Sequence, residues 1–168
     1  MQKCSKTNHN DEITLKGIIH EDVTQYKVPS MVLLFPYCDF KCERDSNCKF
    51  CHNSTLTNMP NIKVNIQNII NWFMNNPITS ALVLSGLEPL DSFKDVIKFI
   101  KEFRNKSEAT IVIYTGYKES EIPDKINQLA EFTNIIVKFG RFIPNSKSCY
   151  DDVLGVVLAS DNQYGKEL

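Results

Sequence analysis

Polarity along this chain alternates between short, continuous apolar runs and stretches in which apolar residues recur every three or four positions. The runs at 31–35 (MVLLF), 81–84 (ALVL), 110–114 (TIVIY) and 134–138 (NIIVK) have the length and branched content of strands buried on both faces. Between the first two, residues 65–75 place Ile66, Ile69, Ile70, Phe73 and Met74 on one helical face, closed by Asn75, Asn76 and Pro77. A second helix presents Phe93, Val96, Ile97, Ile100 and Phe103, with Asp91 or Ser92 as its expected cap. A third takes Pro123 into its first turn and presents Ile126, Leu129 and Ala130. Residues 12–20 (EITLKGIIH) read as an outlying strand with Gly17 as a candidate bulge, 54–64 as a polar connection, and 153–158 as a fifth strand.

Strand, loop and helix thus repeat at least three times, which predicts an α/β fold with a mainly parallel sheet. Ligands in such folds bind at the carboxyl ends of the strands. Three unusual segments follow predicted strands directly: the loop 37–54, the turn 85–89 and the turn 115–117. They are expected to converge on one face. Eight full strand–helix units need about 250 residues. With 168 residues, any barrel here is incomplete, with about five or six mainly parallel strands in a single domain.

Composition narrows the function classes. Apolar residues make up 42% and charged residues 23%, which is ordinary for a globular chain. A formal net charge of −1 supplies no general attraction to nucleic acid or anionic membrane. No apolar run approaches the length of a transmembrane helix, and the first residues lack the apolar centre of a signal peptide. A cytoplasmic protein is the expectation.

The chemistry concentrates in YCDFKCERDSNCKFCHNS, residues 37–54, where Cys38, Cys42, Cys48 and Cys51 hold four of the six cysteines. Thiols packed this closely, in a chain long enough to fold without staples, read as metal ligands rather than disulfide halves. Thiolates suit zinc and iron–sulfur clusters. A structural zinc site, with Cys48 and Cys51 as one knuckle and Cys38 and Cys42 as the other pair, is one reading; its weak point is that zinc ribbons usually separate their knuckles more widely.

The other reading comes from resemblance. Cys38-Asp39-Phe40-Lys41-Cys42, followed by Phe50-Cys51-His52-Asn53, resembles the cluster loop of the radical S-adenosylmethionine superfamily, whose signature is Cys-x3-Cys-x2-Cys with an aromatic residue before the last cysteine. The first interval is kept here; the second is stretched to eight residues and contains Cys48. The resemblance implies a [4Fe-4S] cluster on Cys38, Cys42 and Cys51, with residues 43–49 as an insertion, or on Cys42, Cys48 and Cys51. Three protein ligands leave one iron open for the amino and carboxylate groups of S-adenosyl-L-methionine, so one of the four thiols is expected to be free.

Downstream, Ser85-Gly86-Leu87-Glu88-Pro89 resembles the family's Gly-Gly-Glu-Pro turn, which receives the methionine amino end. Tyr114-Thr115-Gly116-Tyr117 resembles a turn of the activating proteins of anaerobic ribonucleoside-triphosphate reductase. The segments 140–142 (Gly-Arg-Phe) and 160–163 (Ser-Asp-Asn-Gln) resemble that family's tail, with Phe139 where it has an aspartate; no catalytic role is assigned to them. The likeness covers about 29–164, leaving 1–28 as an N-terminal extension. It implies an incomplete (β/α) barrel and cofactor contacts from Phe50, Ser85, Gly86, Glu88, Tyr114, Thr115 and Gly116. It also implies an oxidoreductase that generates a 5′-deoxyadenosyl radical and installs a glycyl radical on the reductase, fed by a flavodoxin-like or other reductant. Rivals are a radical enzyme acting on another peptide or small molecule, and a non-catalytic zinc or iron–sulfur module.

The remaining candidates read plainly. Cys4 and Cys149 are spare thiols. His52 orients the loop, while His9 and His20 lie far from the motifs. Trp72 belongs to core or partner surface, and Lys94, Lys98 and Lys101 to a solvated helix face.

Overall fold

The computed structural model describes residues 11–47 and 51–168. In chain order its elements are β1 (Glu12–Leu15), β2 (Gly17–Asp22), β3 (Ser30–Phe35), α1 (Lys41–Ser46), α2 (Ser54–Thr57), β4 (Ile62–Asn65) and α3 (Ile66–Met74). There follow β5 (Ala81–Gly86), α4 (Phe93–Arg104), β6 (Thr110–Tyr114), α5 (Pro123–Leu129), β7 (Ile135–Phe139), β8 (Cys149–Asp151), β9 (Val156–Leu158) and β10 (Tyr164–Glu167). Short 3-10 turns at Pro89–Ser92 and Glu119–Glu121 lead into α4 and α5.

The main sheet has the order β10-β7-β6-β5-β3-β2. Its four inner strands are mutually parallel, and β2 and β10 flank them antiparallel. Strand parity sorts the apolar side chains. Met31, Leu33, Phe35, Leu82, Leu84, Ile111, Ile113, Ile135, Val137 and Phe139 join the helices in one core. Their strand neighbours Val32, Ala81, Val83, Val112 and Ile136 form a second cluster with Tyr26, Leu154 and Leu158. The first core takes Ile66, Ile69, Ile70 and Phe73 of α3 and Val96, Phe99, Ile100 and Phe103 of α4. The Asn65 side chain caps α3 by accepting from the Gln67 N–H at 2.9 Å and the Asn68 N–H at 3.4 Å.

Several sequence expectations change. Residues 12–20 do not form one strand bulged at Gly17. They divide at Lys16, β1 pairing with β4 in a small sheet and β2 with β3 in the main one. Lys16 is buried at the break and donates to the Thr57 and Met59 carbonyls. The connection 54–64 therefore holds α2 and all but the last residue of β4. The expected fifth strand is a strand only at Val156–Leu158, where it pairs antiparallel with β8 outside the main sheet. A turn over Asp151, closed by the Gly155 N–H at 2.7 Å, precludes the longer extended run. Neither Asp91 nor Ser92 caps α4 through its side chain; Glu88 caps the preceding 3-10 turn instead. Trp72 is 42% exposed and sits edge-on to His20.

Gly86 closes β5 at φ +100, and a Cβ there would lie 2.5 Å from the Phe35 nitrogen. No side chain fits between these adjacent strand ends. Gly86→Ala is expected to cost at least about 2 kcal/mol, read as a lower urea midpoint at unchanged m-value.

Candidate metal centre

Four loops leave the carboxyl ends of β3, β5, β6 and β7 and meet over one end of the sheet. The first carries Cys38 and then α1, which bears Cys42. This helix has six residues, none buried, and its flanking residues Phe40 (φ 56) and Asn47 (φ 49) are both left-handed. So short a helix does not hold itself. Its position comes from contacts: Lys41 stacks on the Tyr117 ring 3.8 Å from its centre, and Asp45 pairs with Arg141 at 2.8 Å. The return of the loop is fixed by Asn53, whose side-chain amide donates to the Gly86 carbonyl at 2.6 Å. His52 packs against Phe142 with ring centres 4.9 Å apart, which is an orienting contact.

A cavity of about 550 Å³ opens between these loops. Strand parity explains its floor. On the face that bears Val32, Val83, Val112 and Ile136, the residues two positions further on are Leu34, Ser85, Tyr114 and Lys138, and all four line the cavity. Leu34 and Tyr114 still pack on the apolar cluster, whereas Ser85 and Lys138 bring polar groups onto the same face. Cys38, Cys42 and Cys51 line the cavity too, with Gly86, Glu88, Thr115 and Gly116. The structure therefore gathers every described residue of the expected site around one space. Phe50 and Cys48, with Cys4 and His9, lie outside the described residues.

Glu88 is the buried link between two of the loops. One carboxylate oxygen accepts from the Leu90 N–H at 3.1 Å and the Thr115 hydroxyl at 2.9 Å, and the other from the Gly116 N–H at 2.8 Å. Desolvation still pushes its pKa up to about 7, against the pull of these bonds. Gly116 is the meeting point: an added Cβ would stand 3.5 Å from the Cys42 sulfur, 3.5 Å from Glu88 and 3.9 Å from Arg141.

Burial keeps two of the thiols protonated unless a compensating charge is bound. Burial pushes Cys38 up to about 12, although the Phe40 N–H donates to its sulfur at 3.2 Å, and burial also raises Cys42. Such thiols ionise when a metal centre supplies the compensating charge. Three soft sulfur donors around a cavity with adjoining free volume fit an iron–sulfur cluster. Cys38, Asp39 and Asp91 also bring ligand atoms within 4.8 Å of one another on the outer side. Those carboxylates are already engaged, Asp39 by Lys41 and Arg44 and Asp91 by the Tyr117 hydroxyl and the Asp39 N–H.

Residues that sequence reasoning did not assign to the site are Lys138, Asn53 and Arg141. Lys138 is the lysine or arginine among the cavity's described lining residues. It is buried, donates to the Gly140 carbonyl at 3.0 Å, and is pushed down to about 8 by desolvation. Its signal was a charged residue at an inward position of an apolar strand. Cys149 is exposed and does not line the cavity, although Leu158, its partner across the β8–β9 ladder, does.

The model of the family described as a 4Fe-4S single cluster domain matches residues 29–163. No curated protein matches the chain. No helix among the described residues is long and apolar enough to cross a membrane.

Glu88 gives this arrangement a measurable signature. Its folded pKa of about 7 lies above the ordinary 4.5, so its contribution to stability is complete below pH 4.5 and is lost as pH rises through 7. The loss amounts to roughly 3 kcal/mol. Glu88→Gln is expected to remove this pH dependence in denaturation of the metal-free chain. Glu88→Ala leaves three donors unpaired and is expected to destabilise at every pH, by about 1–3 kcal/mol per donor.

Proposed function

The chain belongs to the family of 4Fe-4S single cluster domains, and from that membership we propose that it is a radical S-adenosylmethionine enzyme which activates a glycyl-radical protein. The observation that carries the reading is the shared cavity. Three thiols line it together with the Ser85–Gly86 and Tyr114–Gly116 backbones, so ligand groups and space for a second molecule adjoin. In this reading the open six-stranded sheet is the incomplete (β/α) barrel of such enzymes.

Cys38, Cys42 and Cys51 would hold the cluster, and Cys42, Cys48 and Cys51 form the alternative triad. The chemistry supplied when cluster and S-adenosylmethionine are both bound is one-electron reductive cleavage of the sulfonium, giving methionine and a hydrogen-abstracting 5′-deoxyadenosyl radical. The chain's own residues bind and shape. Lys138 offers the cation for a carboxylate, and Ser85 and Gly86 offer polar backbone for the amino end. Leu34, Tyr114 and Leu158 give the cavity an apolar wall. Glu88 acts on the cofactor through its loops, because both its carboxylate oxygens are already bonded.

A cavity of about 550 Å³ is the size of a small-molecule site. A cluster and its cofactor fill that volume, so the hydrogen donor comes to the mouth from outside. This favours a protein substrate; the family resemblance proposes the glycyl-radical subunit of anaerobic ribonucleotide reductase, with a flavodoxin-like or other reductant in the cytoplasm.

Anaerobic reconstitution tests the reading. With dithionite and S-adenosylmethionine, the loaded protein is expected to release 5′-deoxyadenosine, and with the reductase added, a glycyl electron-spin signal appears. Colourless protein holding one zinc, or a cluster that leaves S-adenosylmethionine intact, would falsify it. Cys38→Ala, Cys42→Ala and Cys51→Ala are each expected to abolish cleavage while Cys48→Ala retains it. Loss at Cys48 with retention at Cys38 selects the alternative triad.

A further inference from the structure

Of the tail segments assigned no role in the sequence, 140–142 presses directly against the cysteine loop and 160–163 lies behind it. Phe142 donates its backbone N–H to the Cys42 sulfur, and its ring packs on His52. Arg141, with only 7% of its side chain exposed, spreads its guanidinium between two elements. Its two terminal nitrogens each meet one oxygen of Glu121 at 2.8 Å, and its Nε faces Asp45 on α1 at 2.8 Å. The turn behind it is anchored in turn: the Asn162 amide donates to the Arg141 carbonyl at 3.0 Å, and the Gln163 amide and Lys138 both donate to the Gly140 carbonyl. The 140–142 and 160–163 segments are therefore one braced platform.

We propose that Arg141 is a positioning residue for the cluster, which holds the Cys42-bearing helix against this platform through Asp45 and keeps the Phe142 N–H on the Cys42 sulfur. The need follows from α1 itself: six residues, no buried side chain, and no side-chain cap at its start. Lys41 on Tyr117 braces the first turn of α1 and Arg141 braces the last. The guanidinium serves Glu121 with two planar N–H donors and at the same time sets its charge against Asp45, an ion-pair contact from Nε at 2.8 Å without hydrogen-bond geometry. An ion pair on open surface would do little; here the arginine is buried and its fork pre-set by Glu121. Groups that support metal ligands in this way commonly change metal retention 10- to 100-fold when removed. This inference rests on the iron–sulfur reading, not on cleavage of S-adenosylmethionine.

The test is made on the full chain, reconstituted with iron and sulfide and then challenged with a chelator. Asp45 is half exposed, so Asp45→Asn keeps the Arg141–Glu121 pair and the fold, checked by circular dichroism. It is expected to release iron about 10-fold faster and to alter the electron-spin signal of the reduced cluster, with Asp45→Glu restoring both. Arg141→Gln is expected to do the same, and the Asp45→Asn/Arg141→Gln double variant to release iron no faster than the worse single one. Should Arg141→Gln fail to fold, the Asp45→Asn and Asp45→Glu comparison decides alone. Unchanged release and signal in Asp45→Asn, or additive effects in the double variant, overturn the proposal. A wild-type chain that takes up no iron overturns the cluster reading along with it, whereas a stable cluster that leaves S-adenosylmethionine intact sinks only the radical reading.

Discussion

Everything at the candidate site follows from four parallel strands buried on both faces. Parallel pairing brings the carboxyl ends of β3, β5, β6 and β7 to one edge, so the four following loops must share a small region. Period-two alternation then decides which side chains enter that region. Leu34, Ser85, Tyr114 and Lys138 lie on the face of Val32, Val83, Val112 and Ile136 because each is two residues further along its strand. A single register slip would turn the whole row into the helix-facing core. The apolar cluster is thus what holds the cavity floor in register.

Loops brought together this way still need fixing, and the protein does it with buried charge. Glu88 joins the β5 and β6 loops, Arg141 joins the β7 loop to α1 and Glu121, and Lys138 lies in the electrostatic field of Glu88 and Cys42. Each group is expensive to bury alone. Glu88 accepts three hydrogen bonds, and Arg141 faces two carboxylates. Lys138 has one carbonyl and donors to spare. That imbalance is why the lysine is read as facing a ligand, whereas the glutamate and arginine are read as holding loops in place.

Much of this was legible in the sequence because it depends on local pattern. Continuous apolar runs such as MVLLF and ALVL announce doubly buried strands, and the helical faces of α3 and α4 follow from spacing alone. The convergence of the cysteine loop with the 85–89 and 115–117 turns followed from topology. What escaped was non-local. Nothing near Lys16 foretells that its side chain reaches the Thr57 and Met59 carbonyls, and that reach divides the expected strand in two. Glu88 looked like a ligand contact, since its three donors lie in backbone and in a loop 27 residues away. Lys138 was visible only as a polar end to NIIVK, because its burial depends on Gly140 and on the face it shares with Tyr114.

The cysteine loop makes the same argument in reverse. It is the segment that drew attention to the site, yet it contributes least to its own placement. The helix α1 buries nothing, and both its ends are left-handed. Its brackets are Tyr117 and Arg141, about 75 and 100 residues further on, and loop closure over such distances costs only logarithmically more than over short ones. A ligand loop held from outside keeps its sulfurs oriented without a core of its own, so intervening residues can be added between ligands at little thermodynamic cost. The stretched interval from Cys42 to Cys51 is therefore compatible with a cluster site, provided that the distant brackets are kept. In the proposed cluster site, Glu121, Arg141 and Asp45 would therefore count alongside Cys42, whose helix they brace.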